Sequence, residues 1–234
     1  MAHNTPNSDD IMLFDHNQVK RNRERSTKMP NDHNFLKQEI ADRMNDRLLD
    51  INRKFQTICD LSTPSLLTEV PPASSIDEIT NFPSEILDIP RNHYDLIISN
   101  LQAHWINDLP GVLIQINKAL KPDGLMMMSL FGGDTLHELR HSLITAEAEI
   151  IDGANTRISP FADVRDIGSV LQRAGFALPV TDMDTITVTY EHPVKLMHDL
   201  RGMGETNALF SRSKKFLRRD ILMRACEIYM RDFA

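Results

Sequence analysis

Apolar residues along this chain recur at spacings that identify the element each belongs to. Phe35, Ile40, Met44, Leu48 and Ile51 return every three to five positions, which predicts an amphipathic helix over 34–53. Phe55–Leu61 (FQTICDL) reads as a strand. Asp95–Ser99 (DLIIS) is a short apolar run, the pattern of a strand buried on both faces. The helix that follows is marked at both ends. Asp108 is placed to cap it, and Pro110 sits in its first turn, where a missing N–H costs nothing. Val112, Leu113, Ile116, Ala119 and Leu120 line one face. Lys118 and Lys121 suit the negative end of its dipole, and Pro122-Asp123-Gly124 stops it. Leu125–Phe131 (LMMMSLF) is a second buried-type strand. Two such strands joined by a helix form a parallel pair with a right-handed crossover. Open parallel sheets bind ligands beyond the carboxyl ends of their strands, so Asn100–Trp105 and Gly132–Thr135 form the candidate functional edge.

Leu136, Leu139, Leu143, Ala146 and Ile150 predict a helix over 134–151, capped by Asp134 or Thr135. Gly153–Phe161 is a loop. Asp163 caps a helix carrying Val164, Ile167, Val170, Leu171 and Ala174, which Gly175 closes. Thr185–Tyr190 alternates, with Ile186, Val188 and Tyr190 on one face, and is read as a strand. Pro193 opens a helix to about Leu200, Gly202-Met203-Gly204 breaks it, and a basic final helix runs from about Ser213 to Phe233. Residues 62–94 are irregular, because Pro64, Pro71, Pro72 and Pro83 interrupt them. Short helical pieces fit around Leu66–Val70 and Ile76–Ile79, and Ile86–Ile89 fits a short strand or an edge segment. This order is α/β: a mostly parallel open sheet with one antiparallel strand near its C-terminal edge.

At 234 residues the chain suits one large domain or one domain with an appended piece, and is read as an N-terminal arm over 1–30 and a single domain over 31–234. Its first 11 residues are polar and expected to be disordered. A net charge of −7 offers nucleic acid no attractive field. The basic run Lys20, Arg21, Arg23, Arg25 and Lys28 is a solvated face, with a nucleic-acid arm, or a cover over an anionic ligand or acidic partner, as alternatives. No apolar run reaches membrane-spanning length, and no secretory signal is visible. Asp9, Asp10 and Asp15 argue against an acidic-poor presequence. Cys59 and Cys226, far apart and outside any CxxC, fit a reducing cytosol, so the expected location is cytoplasmic.

Two clusters carry candidate chemistry. His137-Glu138-Leu139-Arg140-His141 is a literal HExxH, which on a helix sets two imidazoles on one face for zinc. Leu139 belongs to the apolar stripe of that helix, and no third ligand follows, so no metal is assigned and a zinc hydrolase is a minor alternative. His104-Trp105 is either an aromatic pair closing a strand end or a ligand-facing pair. Gly132-Gly133 is a turn whose lack of side chains lets a ligand approach. Arg140, Arg157 and Arg165 bind an acidic partner or are solvated, and Glu205 and Asn207 follow a glycine break as loop residues aimed at a site. Trp105, Gly132, Gly133, Arg140, Glu205 and Asn207 are the candidate substrate contacts.

Several segments together resemble the class I S-adenosylmethionine-dependent methyltransferases. They are Leu13-Phe14-Asp15, Phe35-Leu36, Tyr94-Asp-Leu-Ile-Ile-Ser99, Leu101-Gln-Ala-His-Trp-Ile-Asn-Asp-Leu-Pro110, Leu120-Lys-Pro-Asp-Gly124, Phe131-Gly-Gly-Asp-Thr-Leu136, Glu138-Leu-Arg140, Ser159-Pro-Phe161, Arg173-Ala-Gly-Phe176 and Met203-Gly-Glu-Thr-Asn207. The likeness is to the malonyl-acyl carrier protein methyltransferases and, more closely, to the assembly-factor branch of respiratory complex I. The resemblance implies a Rossmann-like methyltransferase sheet, S-adenosylmethionine as cofactor with Asp60, Asn100 and His104 best placed to meet it, His104 as general base, and a complex I subunit as protein substrate. That branch is associated with hydroxylation of an arginine rather than methylation.

The sequence departs from the family at the cofactor turn. The family opens its first strand into a turn of the type Asp-Leu-Gly-Cys-Gly-x-Gly, whose glycines admit the cofactor. In this chain Asp60-Leu61 runs into Ser62-Thr63-Pro64-Ser65, and no glycine precedes Gly111. Asp60 and Asp95 lie 35 residues apart, too close for a turn, two helices and a strand, since one βαβ unit takes about 30 residues. The N-terminal, cofactor half is therefore read as truncated, with Glu85 or Asp88 as candidates for a lost polar contact. The leading expectation is a methyltransferase-like protein of the complex I assembly-factor type with a degenerate cofactor site. The alternative is a non-catalytic protein-binding module on the same fold.

Overall fold

The computed structural model describes residues 12–65, 75–79 and 84–233. In chain order its elements are α1 (His16–Ser26), α2 (Phe35–Leu49), β1 (Thr57–Asp60), β2 (Ser75–Glu78), β3 (Tyr94–Asn100), α3 (Leu109–Ala119), β4 (Leu120–Ser129), α4 (His137–Ile151), α5 (Val164–Arg173), α6 (Pro193–Gly202) and α7 (Arg219–Asp232). They divide into two compact units. A sheet unit comprises Asn34–Gly133 and Phe161–Asp184, and a helical unit comprises Met1–His33, Asp134–Pro160 and Thr185–Ala234.

In the sheet unit the strand order is β2-β1-β3-β4 and every neighbouring pair is parallel. The apolar run of β3 explains the layering. Leu96 and Ile98 pack with Met44 and Leu48 of α2 and with Phe55 and Ile58. Ile97 joins Leu113 and Ile116 of α3 and Leu171 and Ala174 of α5. Successive side chains of a strand leave on opposite faces, so an unbroken apolar run demands a helix on each side. Burying each of these side chains is worth about 1.5–3 kcal/mol. Asp108 caps α3 by accepting from the Gly111 N–H at 2.9 Å, and Asp163 caps α5 by accepting from Arg165 at 2.8 Å. At the amino end of the sheet, Asp95 accepts from the N–H groups of Gln56 and Thr57 at 3.1 and 3.0 Å and from Lys121 Nζ at 3.1 Å. Burial alone would raise the Asp95 carboxyl, but the Thr57 N–H and hydroxyl and the Lys121 ammonium outweigh it and hold it at about 2.

In the helical unit, Leu139, Leu143 and Ala146 of α4 pack with Ile221, Ala225 and Ile228 of α7 and Leu196 of α6. The fully buried Glu147 accepts from the Asn155 N–H at 2.5 Å and from Arg157 Nε and Nη2 at 2.9 and 2.6 Å, which ties the loop after α4 back onto that helix. Asp15 caps α1 by accepting from Gln18 at 3.1 Å, so most of the basic run is helical.

The α/β class, the parallel sheet and its helical additions match the sequence reading. Other expectations are corrected. The helical piece expected around Ile76–Ile79 is the strand β2, because its backbone pairs along the open edge of β1. The Leu66–Val70 piece and the first 11 residues lie outside the described residues. Thr185–Tyr190 forms no ladder, and no antiparallel strand is present among the described residues. Its alternation survives as burial, with Ile186, Val188 and Tyr190 half-buried and the threonines exposed, but no neighbouring strand takes its backbone groups. Ile86–Ile89 is not a strand. Its Leu87 is buried, and the Leu87 N–H donates to Gln115 Oε1 at 2.9 Å. Neither Asp134 nor Thr135 caps α4, whose N-cap is Leu136 at φ 59° with no side-chain hydrogen bond. The last helix begins at Arg219 rather than near Ser213.

Candidate functional site

Asp60, Asn100, His104, Trp105, Gly132 and Gly133 all fall in the sheet unit, at or just beyond the carboxyl ends of β1, β3 and β4. Parallel pairing puts those ends on one edge: Asp60 lies opposite Ile98 and Asn100 opposite Ser129. Two kinds of chemistry meet there.

The first is a closed polar network. Asp60 is fully buried; its Oδ1 accepts from the Ser62 N–H at 2.8 Å and its Oδ2 from the Ser65 hydroxyl at 2.5 Å. The Asn100 N–H donates to Ser62 Oγ at 2.9 Å. Asn100 Nδ2 donates to the Lys37 carbonyl, and Asn100 Oδ1 accepts from the Ser129 hydroxyl, both at 2.8 Å. Leu101, at φ 49°, bends the chain so that its N–H reaches Ser129 Oγ at 3.0 Å. Gln102 Nε2 then donates to the Thr63 carbonyl at 2.9 Å.

The second is aromatic. A short 3-10 turn, Ala103–Trp105, presents a buried His104 whose ring centroid lies 4.8 Å from Phe131 and 6.2 Å from Phe161. Phe131 and Phe161 are 5.8 Å apart and both half-buried. A parallel bridge from Gly132 to Ala162 carries Phe161 to this edge. A Cβ added at Gly132 or Gly133 would meet nothing within 4 Å, so the turn that follows Phe131 has open space beside its backbone. A cation laid on such rings gains about 0.5–2 kcal/mol, and a buried imidazole beside it is a candidate proton acceptor.

Arg140, Glu205 and Asn207 belong to the helical unit. Arg140 donates to the Ser159 carbonyl at 3.1 Å, Glu205 stands against Arg23, and Asn207 Nδ2 donates to the Thr156 carbonyl at 2.7 Å. Glu85 lies at the start of α3, where its two oxygens accept from the N–H groups of Asn107 and Asp108 at 3.0 Å each. In the HExxH segment, the His137 and His141 rings pack against Phe233 at 6.2 and 5.8 Å, and no group of three metal-ligating side chains occurs among the described residues. The sequence reading missed Phe131 and Phe161 as partners of His104, and the three serines as partners of Asp60 and Asn100. The position of Phe131, at a strand end before two glycines, was the available signal for one of them.

The described residues do not fit S-adenosylmethionine in the manner the family resemblance implies. The turn after β1 carries side chains in place of glycines; the Ser62 N–H and the Ser65 hydroxyl already bond the Asp60 carboxylate, and the Lys37 carbonyl and Ser129 hydroxyl already bond the Asn100 amide.

A parallel sheet read at its carboxyl edge, with helices on both faces, is the architecture of a methyltransferase domain. The family model of that description matches residues 5–179, and the chain belongs to the methyltransferase-domain family. Within it the chain is closely related to proteins named arginine-hydroxylase NDUFAF5, mitochondrial. The rat protein is 36% identical over 94% of this chain and 71% of its own length, and the human protein 38% identical over 86% and 64%. A malonyl-[acyl-carrier protein] O-methyltransferase from Gallionella capsiferriformans is 36% identical over 62% of this chain and 48% of its own length. The rat alignment runs to 249 positions although this chain has 234 residues, so the relative carries residues that this chain lacks. A solved structure, the YcgJ protein of a Bacillus, matches at TM-score 0.37 and 11% identity over 58% of this chain and 68% of its own, too slight a likeness to argue from. No helix among the described residues is long and apolar enough to cross a membrane.

Proposed function

We propose that this chain is a cytoplasmic assembly factor of the arginine-hydroxylase type that grips an arginine of a respiratory complex I subunit at the carboxyl edge of its sheet, without S-adenosylmethionine as working cofactor. The observation that carries the reading is the His104, Phe131 and Phe161 ring cluster beside the open space at Gly132 and Gly133. A guanidinium is planar and weakly hydrated, so it stacks on aromatic faces better than an ammonium does. The relatives named arginine-hydroxylase support arginine as the recognised side chain. The self-satisfied Asp60–Asn100 network supports the absence of a cofactor role.

The test is a binding titration of full-length protein with arginine-bearing peptides from complex I subunits, with lysine-substituted peptides as controls. Phe161→Ala is expected to weaken arginine-peptide binding about five- to thirtyfold, the loss of one cation–π contact of about 1–2 kcal/mol. Equal binding of the lysine peptides, or an unchanged Phe161→Ala, refutes the arginine site. The second reading, methyl transfer from S-adenosylmethionine, is favoured by the acyl-carrier-protein methyltransferase relatives. Calorimetry with S-adenosylmethionine and S-adenosylhomocysteine separates the two, since micromolar binding would establish the second.

A further inference from the structure

The loop that leads into α7 carries an exposed surface that the arginine-recognition reading does not use. The loop leaves an antiparallel bridge between Phe14 and Leu209, whose side chains are buried. One step along, the Phe210 N–H donates to the Leu13 carbonyl at 2.9 Å. Alternation turns the Leu13 and Phe210 side chains outward, and each is 45% exposed. Arg212 then fastens the loop to the helical unit. Its Nη1 donates to the Leu209 carbonyl at 2.8 Å, and its Nη2 donates to Asp15 Oδ2 and Gln18 Oε1 at 2.9 and 3.0 Å. Beyond this anchor the Phe216 ring is 99% exposed.

The charge around that ring is opposite to the charge of the chain. The net charge is −7, yet no acidic residue occurs from Thr206 to Arg219, a stretch that holds Arg212, Lys214, Lys215, Arg218 and Arg219. Arg212 is paired with Asp15, and Arg218 with Asp220. Lys214, Lys215 and Arg219 are exposed and make no side-chain hydrogen bond or ion pair among the described residues. Arg219 and the exposed Met223, four residues apart, share a face at the start of α7.

We propose that this loop and the start of α7 form a docking surface for an anionic lipid bilayer. Phe216 enters the interface, and Lys214, Lys215 and Arg219 meet headgroup phosphates on either side of it. A lone exposed apolar side chain needs no partner, but an aromatic ring set between unpaired cations matches the two layers of a bilayer surface, apolar below and anionic above. An acidic protein would satisfy the cations and would still need a pocket for the ring, whereas a bilayer accepts both along a flat contact. The chain lies on the membrane and does not span it, since no helix among the described residues is long and apolar enough to cross.

The test is co-sedimentation of the full chain with vesicles of phosphatidylcholine alone and of equal parts phosphatidylcholine and phosphatidylglycerol. Binding is expected only to the anionic vesicles and is expected to weaken as sodium chloride is raised. Lys214→Gln with Lys215→Gln is expected to weaken binding about twenty-five-fold, about fivefold for each cation near an anionic leaflet. Phe216→Ala is expected to weaken it about tenfold through the lost burial of the ring. These side chains are exposed, so the variants are expected to melt with the parent, and the loss is read as loss of contact. Lys54→Gln, an exposed cation of the sheet unit, is expected to bind as the parent does. Equal binding to both vesicles, no binding to either, or variants that bind as the parent does overturn the proposal. Poly-glutamate that displaces the protein from vesicles, with Phe216→Ala unaltered, also overturns it and assigns the surface to an acidic protein.

Discussion

Asn100→Ala is the perturbation that most directly separates a closed edge from a cofactor contact. The amide joins α2, β3 and β4: Nδ2 donates to the Lys37 carbonyl and Oδ1 accepts from Ser129, each at 2.8 Å, while the Asn100 N–H keeps its bond to Ser62 in the variant. Asn100 is 5% exposed, so solvent does not replace the missing amide freely. A buried group left without its partner costs about 1–3 kcal/mol. Ser129 is half-buried, which places its share at the low end. The total destabilisation is then about 2–4 kcal/mol, and for a urea slope of about 2 kcal/mol/M the midpoint falls by about 1–2 M. Urea unfolding followed by circular dichroism measures this, first on the protein alone and then with millimolar S-adenosylmethionine. Ser129→Ala and the double variant complete a cycle in which the coupling is expected to be about 1 kcal/mol. An unmoved midpoint or zero coupling refutes the network. A loss of stability that appears only with S-adenosylmethionine present makes Asn100 a cofactor contact and refutes the closed edge.

Asp95 has its carboxyl held at about 2, below its ordinary 3.8, so the stability it contributes is fully present above pH 3.8 and is lost as the pH falls toward 2. Asp95→Asn is expected to flatten that part of an acid-unfolding curve, and an unchanged slope between pH 4 and 2 would contradict the assignment. Arg157→Ala leaves the fully buried Glu147 with only Asn155 as a donor, and a loss of about 3 kcal/mol is expected in urea unfolding, partly recovered by adding Glu147→Gln. If the single variant is as stable as the parent, the carboxylate is not held as described. Protein dialysed against zinc and then buffer is expected to retain much less than one equivalent by elemental analysis, whereas a stoichiometric ion would revive the His137 and His141 pair as ligands.

Where a local signal is sufficient, the sequence alone determined the outcome. The helix α3 runs Leu109–Ala119 because Asp108, Pro110 and an apolar stripe act within a few residues of one another. The apolar run of β3 required burial on both faces, and the parallel pair followed from that. The missing glycines before Gly111 likewise announced an altered cofactor turn without any coordinates. Other features depend on residues distant in the chain. Ser75–Glu78 became a strand because β1 had an open edge to offer, and Thr185–Tyr190, with better alternation, did not because nothing paired with it. The rings of Phe131 and Phe161 meet His104 only after the bridge from Gly132 to Ala162 forms. Asp60 and Asn100 had the identities and positions expected for a ligand, but the folded turn brings Ser62 and Ser65, and the pairing of β3 with β4 brings Ser129, to join their hydrogen bonds. Periodicity and capping are properties of neighbouring residues, whereas a strand partner or a hydrogen-bond partner is supplied by whichever distant segment the tertiary structure brings within reach.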